Sequence, residues 1–162
     1  MNKYILLSSA AVLALVSFNA KAADSATGTA QVEVVQAIDI SHAAADSLNF
    51  GSVYAKDSNT VTISQAGART AGKGFGTTSA DKFTITGPTG GSCTVTIPAS
   101  ATMTKSGGGS LTATLDPSIA SGSTVNTTTG SDSIINIGGS VTVSSSTAPG
   151  SYSGTYTVSI SY

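Results

Sequence analysis

The chain has 162 residues, of which seven are Lys or Arg and eight are Asp or Glu. Charged residues make up 9% of it, against about 25% in an average soluble protein. Arg69 is the single arginine and no basic patch is present, so nucleic acid is excluded as an expected partner. Cys93 is the single cysteine, so no disulfide can form within the chain.

The first 22 residues have the pattern of a secretory signal peptide. Lys3 precedes the apolar run YILLSSAAVLALVSF, and Ala20-Lys21-Ala22 is an A-x-A cleavage site. The alternative, an N-terminal membrane anchor, is disfavoured because the run is too short to span a bilayer. Cleavage leaves residues 23–162, which we predict to form one domain with a net charge of −3, since five basic residues then face eight acidic ones. We expect export to the periplasm and then to the cell surface or beyond, without membrane insertion.

Two-residue alternation of apolar and polar side chains recurs along the rest of the chain and predicts β-strands. In chain order the segments are Ala26 to Ile40, Leu48 to Tyr54, Asn59 to Gln65, Asp81 to Gly87, Ser92 to Pro98, Ser110 to Leu115, Ile134 to Val143 and Tyr152 to Tyr162. Turn sequences such as PTGG and KSGGGS separate them. This pattern predicts an all-β domain, an antiparallel sandwich or barrel.

Two stretches between the strands are long and rich in Gly, Ser and Thr. They run from Ala66 to Ser79 and from Asp116 to Ser133, and the second is expected to contain a short edge strand around Thr124 to Asn126. Cys93 lies in the strand-like sequence SCTVTIP, where an unpaired cysteine usually behaves as a small buried hydrophobe. We therefore predict a structural thiol at this position.

The residues that could carry catalysis are few. His42 is the only histidine, and its sequence context, SHAAADS, predicts a surface position in a loop whose replacement by Ala would change nothing. No G-x-S-x-G motif accompanies a candidate serine. One His and one Cys cannot supply the three or four ligands of a zinc site. We predict a protein that is not an enzyme and that uses neither a metal nor a cofactor.

The two ends of the predicted domain are its most informative parts. The first strand-like segment has small residues, Gly28 and Ala30, before larger ones, Val32 and Val34. From Tyr152 onward every even position is Tyr, Gly or apolar and every odd position is Ser or Thr. Unpaired strand edges recruit other strands. Either both ends pair within their own domain, or the N-terminal strand of one copy completes the sheet of the next.

The segments LNFGSV, DKFTITGPTGGSCTVTIPASATMTKSGGGSLTATL and INIGGSVTVSSSTAPGSYSGTYTVSISY resemble the bacterial family of domain of unknown function 4402. The resemblance covers nearly all of the chain after the signal sequence, and its C-terminal motif is the most specific part. That ending also resembles spore-coat-U-type and archaic chaperone–usher pilins. The second resemblance implies an immunoglobulin-like sandwich of about seven to nine strands.

The resemblance to pilins also implies partners and site residues. Subunits of this kind assemble with themselves or with related subunits, with the help of a periplasmic chaperone and an usher. The donor residues would be Gly28, Ala30, Val32 and Val34, and the C-terminal strand held during assembly would present Tyr156, Val158, Ile160 and Tyr162. Many such pilins carry a disulfide, which this chain cannot form.

A structural subunit of a surface fibre or pilus is the leading hypothesis, and two alternatives stay open. A terminal aromatic after alternating apolar residues also resembles the insertion signal of small outer-membrane β-barrels, although most of the predicted strands are shorter than the roughly 9–11 residues that lipid-facing strands need. A soluble adhesin module could bind glycans through the Ala66 to Ser79 segment, in which Phe75 is the only aromatic residue.

Overall fold

The computed structural model describes residues 24–130 and 132–162. It contains twelve strands and, over that part of the chain, no helix. Every paired strand runs antiparallel to its neighbour. The strands are β1 (Asp39–His42), β2 (Ser52–Val53), β3 (Ser58–Ile63), β4 (Arg69–Ala71), β5 (Gly74–Phe75), β6 (Asp81–Thr86), β7 (Ser92–Thr96), β8 (Ser100–Thr104), β9 (Ser110–Pro117), β10 (Thr124–Asn126), β11 (Ser133–Ser144) and β12 (Ser159–Ser161).

Strand β11 is the centre of the larger sheet because it pairs along both of its edges. Its first part pairs with β6 and its last part with β3, one after the other on the same edge. The opposite edge pairs with β9, since Ile137 is the partner of both Asp81 and Pro117. Strands β1, β4 and β8 extend this sheet beyond β6, β3 and β9.

A three-stranded sheet in the order β10-β7-β12 and a short β2-β5 pair complete the fold. The main core lies between the three-stranded sheet and the larger sheet. Cys93 and Val95 of β7 belong to the same apolar cluster as Ile85 of β6 and Ile137 of β11. Ile85, Val95 and Ile137 are completely buried, as the two-residue alternation of these strands requires when one face of each sheet is covered.

A second apolar cluster lies under the β3 end of the larger sheet. Phe50, Val61, Ile63, Ala113 and Val141 form it, and Val61 and Ile63 are fully buried. Strand β11 crosses between the two clusters at Gly138 and Gly139. A Cβ at Gly138 would collide with the carbonyl oxygen of Ile63, so this close approach of β3 to β11 requires glycine.

The predicted class, an antiparallel β-sandwich, is confirmed. The number of strands exceeds the expected seven to nine because five of the twelve have only two or three residues. The edge strand expected at Thr124–Asn126 is present as β10. Cys93 is buried, with 2% of its surface exposed, as predicted for a structural thiol.

The prediction of a long first strand is wrong for most of its length. Of the segment Ala26 to Ile40, only Asp39 and Ile40 lie in a strand, and residues 24–38 form no ladder among the described residues. Val34–Tyr162 is one compact unit. The predicted signal peptide, residues 1–22, lies outside the described residues.

Two neighbouring isoleucines of β11 provide a matched test of the sheet register. Ile135 is 1% exposed and Ile134 is 53% exposed. We expect Ile135→Ala to lower the free energy of unfolding by about 2–5 kcal/mol, because it leaves a cavity in the core. Ile134→Ala should change it by about 0.5 kcal/mol or less, as is usual for a surface position. Urea denaturation measures both values, and equal losses would contradict the register.

Candidate functional site

The segment that precedes the sandwich carries apolar side chains without burying them. Residues 24–37 are all exposed. Val32 and Val34 are each 88% exposed, and Val35 is 61% exposed. Gly28 and Ala30, the two small residues of the predicted donor set, are exposed as well. Among the described residues, the first buried one is Ile38, one position before β1 begins.

The C-terminal segment connects the two sheets of the sandwich. Ser153 and Thr104 exchange two backbone hydrogen bonds, which ties the start of this segment to β8. Its last residues form β12, in which Ile160 is the partner of Val95 of β7. The segment thus leaves the larger sheet and ends as an edge of the smaller one.

Of the strand predicted from Tyr152 to Tyr162, only Ser159–Ser161 form a strand, but the predicted alternation holds for burial. Val158 is 7% exposed, and Tyr156 and Ile160 pack against the main core cluster. The intervening Ser and Thr residues are exposed. Tyr162, which the sequence placed in the same series, is instead 77% exposed. Three of the four residues proposed for the assembly strand therefore contribute to the core.

Strands β1 and β12 are both edge strands on the same side of the sandwich. Among the described residues β1 pairs with β6 alone, and β12 pairs with β7 alone. Cα atoms of β1 and β12 approach within 8 Å of each other, and Ile40 and Ile160 pack against the same core cluster. No backbone hydrogen bond joins these two described strands. Each therefore has one edge with unused N–H and C=O groups.

A buried carboxylate ties together three elements that meet at this side of the sandwich. Asp81, at the start of β6, is 5% exposed. Its Oδ1 lies 2.6 Å from Nε2 of His42 on β1 and accepts a hydrogen bond from the N–H of Lys82 at 2.8 Å. The hydroxyl of Tyr156 donates to Oδ2 at 2.6 Å. These partners satisfy both oxygens, which a buried carboxylate requires.

The ring of Phe83 packs beside this cluster. Its centroid lies 4.7 Å from that of His42 and 6.2 Å from that of Tyr156. The aromatic contacts and the hydrogen bonds hold β1, β6 and the C-terminal segment together. Burial raises the pKa of Tyr156 well above its ordinary value, and the hydrogen bond to Asp81 and the charge of that carboxylate raise it further.

The sequence patterns did not predict that Asp81, His42 and Tyr156 lie together. His42 lies on β1 and contacts Asp81, so the prediction that it lies in a loop is wrong, whereas its exposed side chain agrees with the predicted surface position. A signal was present at Asp81, because in DKFTIT the aspartate has the same parity as Phe83 and Ile85 and therefore shares their buried face. An acidic residue in register with buried apolar residues predicts a partner, although it does not name the partner.

Other chemistry is sparse in the part of the chain that the structure describes. No three side chains of the His, Cys, Asp and Glu types lie close enough together there to hold a metal ion. Burial raises the pKa of the Cys93 thiol, which disfavours the reactive thiolate. Over residues 24–130 and 132–162, no helix has the length and apolar character needed to cross a membrane.

A family model described as domain of unknown function (DUF4402) matches residues 38–162. The chain belongs to this family. The DUF4402 match begins at Ile38, the first buried residue of the part that the structure describes, and it covers every strand of the sandwich together with the Asp81 cluster. Neither a curated protein nor a solved structure matches the chain.

The Tyr156 hydroxyl gives a testable dependence of stability on pH. The pKa of this hydroxyl is raised in the folded state. Its contribution to the free energy of unfolding is therefore complete below the unfolded-state pKa of 10.0 and is lost as the pH rises above that pKa. At pH 8, Tyr156→Phe should cost about 1–3 kcal/mol, because Asp81 loses a buried hydrogen-bond donor. Between pH 9 and pH 11 the wild-type chain should lose more stability than the variant.

Urea denaturation at several pH values measures this difference. Tyr152→Phe is the matched control, since the Tyr152 hydroxyl donates to the carbonyl of Ala148 at an exposed position. Parallel pH profiles for the wild-type chain and Tyr156→Phe would contradict the assignment.

Proposed function

We propose that this chain is a non-enzymatic, exported structural subunit that assembles into a surface fibre by β-strand donation. The donor is the segment from Thr27 to Val34 of one copy, and the acceptor is the edge at β12 in the next. The observation that carries the proposal is the exposure of Val32 and Val34, each 88%, in a segment that alternates like a strand and forms none.

The donor segment has the properties that strand addition requires. Backbone hydrogen bonds to an exposed edge give affinity, and alternate side chains give specificity. The even-numbered residues, Gly28, Ala30, Val32 and Val34, would face the acceptor's core, with small residues at one end and large ones at the other. The odd-numbered residues Thr27, Thr29, Gln31 and Glu33 suit a solvent-facing side.

The acceptor lies where β1 and β12 end the two sheets. A strand placed between them needs about 9.5 Å, which is twice the spacing of neighbouring strands. The two strands approach within 8 Å, so the donor has to displace β1 outward before it pairs with β12. Ile40 and Ile160, which lie at this edge of the core, would then contact the donor's valines.

The geometry of the contact explains why a fibre forms. A donor at one end of the subunit and an acceptor elsewhere on the next make a head-to-tail interface, which propagates without closing. An unoccupied β12 edge is prone to aggregate, so an assembly partner is needed before polymerisation. We propose that a periplasmic chaperone and an usher have that role. The subunits then assemble with copies of themselves or with related subunits. Residues 1–22 direct export.

Two double variants of the donor segment test the proposal on opposite faces of the same backbone. Val32→Ser with Val34→Ser removes the apolar face and should abolish polymers, because each buried valine contributes about 1.5–3 kcal/mol to the contact. Gln31→Ser with Glu33→Gln changes only the other face and should leave polymer length unchanged. Light scattering coupled to size exclusion, with electron microscopy, measures the outcome.

A trans experiment separates donation from other modes of association. Subunits that lack Thr27 to Val34 should be monomeric and should bind a synthetic peptide of residues 27–36, whereas the peptide carrying both Val→Ser changes should not bind. Wild-type subunits that stay monomeric at high concentration would contradict the proposal. Equal polymerisation by the two double variants would do so as well.

A further inference from the structure

Two exposed aromatic side chains from separate segments meet on the surface near β2 and β5. Tyr54, directly after β2, is 54% exposed, and Phe75 of β5 is 58% exposed. Their ring centroids are 5.5 Å apart, with the rings inclined by 44°. Exposed rings held together in this way have apolar faces available to a ligand, and Tyr adds a polar hydroxyl.

Tyr54 also forms one wall of a cleft with a volume of about 710 Å³. This volume is within the range of about 300–1,000 Å³ that is usual for small-molecule sites. The other walls carry hydrogen-bonding and charged side chains, Lys56, Asp57, Ser58 and Lys73 among them. The ring of Tyr54 therefore lies beside hydrogen-bond donors and acceptors and beside side chains of both charges.

The cleft is held in shape by a buried amide. Asn59 is 8% exposed, and its Nδ2 donates to the carbonyl of Tyr54 at 2.9 Å and to that of Lys73 at 2.8 Å. Its Oδ1 accepts a hydrogen bond from the N–H of Lys73 at 2.9 Å. One side chain at the start of β3 thus fixes both walls. A site that is formed before binding avoids the entropic cost of ordering its loops.

The support extends behind the aromatic pair. Nη2 of Arg69 donates to the carbonyl of Phe50 at 2.8 Å and to that of Phe75 at 3.3 Å. Gly72 lies so close to β3 that a Cβ there would meet the carbonyl oxygen of Thr60, which keeps the β4–β5 turn against the cleft. The backbone that presents Phe75 is therefore anchored to the second core cluster.

We propose that this cleft is a carbohydrate-binding site. A pyranose ring has an apolar C–H face and a rim of hydroxyl groups, so it matches the ring of Tyr54 beside Asp57, Ser58 and Lys73 in the cleft. The exposed ring of Phe75, which packs against Tyr54, extends this apolar surface beyond the cleft. A protein partner would call for a larger apolar centre than two rings surrounded by Lys, Asp, Ser and Thr. Lys56 and Lys73 also suit the carboxylate of a uronic acid, so neutral and acidic sugars share the same stacking chemistry.

The site does not depend on the proposed fibre. Its residues lie beside β2, β3 and the β4–β5 turn, and the β1 and β12 edges belong to the other core cluster. From the sequence, Phe75 is the only aromatic residue expected to contact a sugar. Tyr54 is the partner that it missed, since 21 positions separate the two residues.

The test uses the full mature chain and two probes, a neutral glucose hexasaccharide and a galacturonic acid hexasaccharide. Isothermal titration should detect binding of at least one probe. Tyr54→Ala and Phe75→Ala should each weaken it up to about tenfold, the size of an aromatic contact. Tyr54→Phe should bind nearly as the wild type does. Weakening by Lys56→Gln and Lys73→Gln for the acidic probe alone would identify a uronic acid as the source.

Ile134→Ala is the matched control, because it removes an exposed apolar side chain of β11 outside the cleft. The Val32→Ser and Val34→Ser double variant should keep the affinity per subunit, which separates this site from assembly. Absence of heat with both probes would overturn the proposal. An unchanged affinity in the folded double variant of Tyr54→Ala and Phe75→Ala would also overturn it.

Discussion

The fold depends on the pairing of β11 along both of its edges. Three strands, β6, β3 and β9, use its backbone groups, so the hydrogen bonds of the larger sheet converge on one segment of twelve residues. The inward side chains of that segment reach both apolar clusters, Ile137 in one and Val141 in the other. Because one face of this strand is buried, a shift of its register by one residue would turn its whole apolar set to the other face.

The periphery of the sandwich is organised differently from its centre. Strands β1 and β12 each pair on one edge only among the described residues, and both are short. The carboxylate of Asp81 fastens this side through His42 and Tyr156. Hydrogen bonds to a buried charge are strong, and they favour one arrangement of the three elements over others. On the side of the molecule proposed to accept a donor strand, polar contacts as well as packing thus hold β1 and the C-terminal segment in place.

Two separate surfaces of the domain are proposed to bind different partners. The edge near β1 and β12 is backbone-rich and apolar behind its rim, which suits a partner that is itself a strand. The cleft beside Tyr54 is polar with one aromatic wall, which suits a small hydroxylated ligand. They border different core clusters. A fibre of such subunits would repeat the cleft along its length and multiply weak binding.

The sequence by itself determined the secondary-structure class and the faces of the strands. The period of two in segments such as DKFTIT depends only on the pleat, so Phe83 and Ile85 could be assigned to the core without knowledge of their partners. The prediction of a strand at Thr124–Asn126 and of a buried Cys93 succeeded for the same local reason. Alternation shows what a segment can form, however, and the exposed segment around Val32 has the pattern without the strand.

Only the tertiary structure decided which segments meet. His42 and Asp81 are 39 positions apart, and Asp81 and Tyr156 are 75 apart. Antiparallel pairing across such distances leaves no trace in local periodicity, because many registers preserve the same two faces. The pairing of Tyr54 with Phe75 was hidden for the same reason. Local sterics set the strands, whereas the packing of β11 against its three neighbours selected the one arrangement that brings these side chains together.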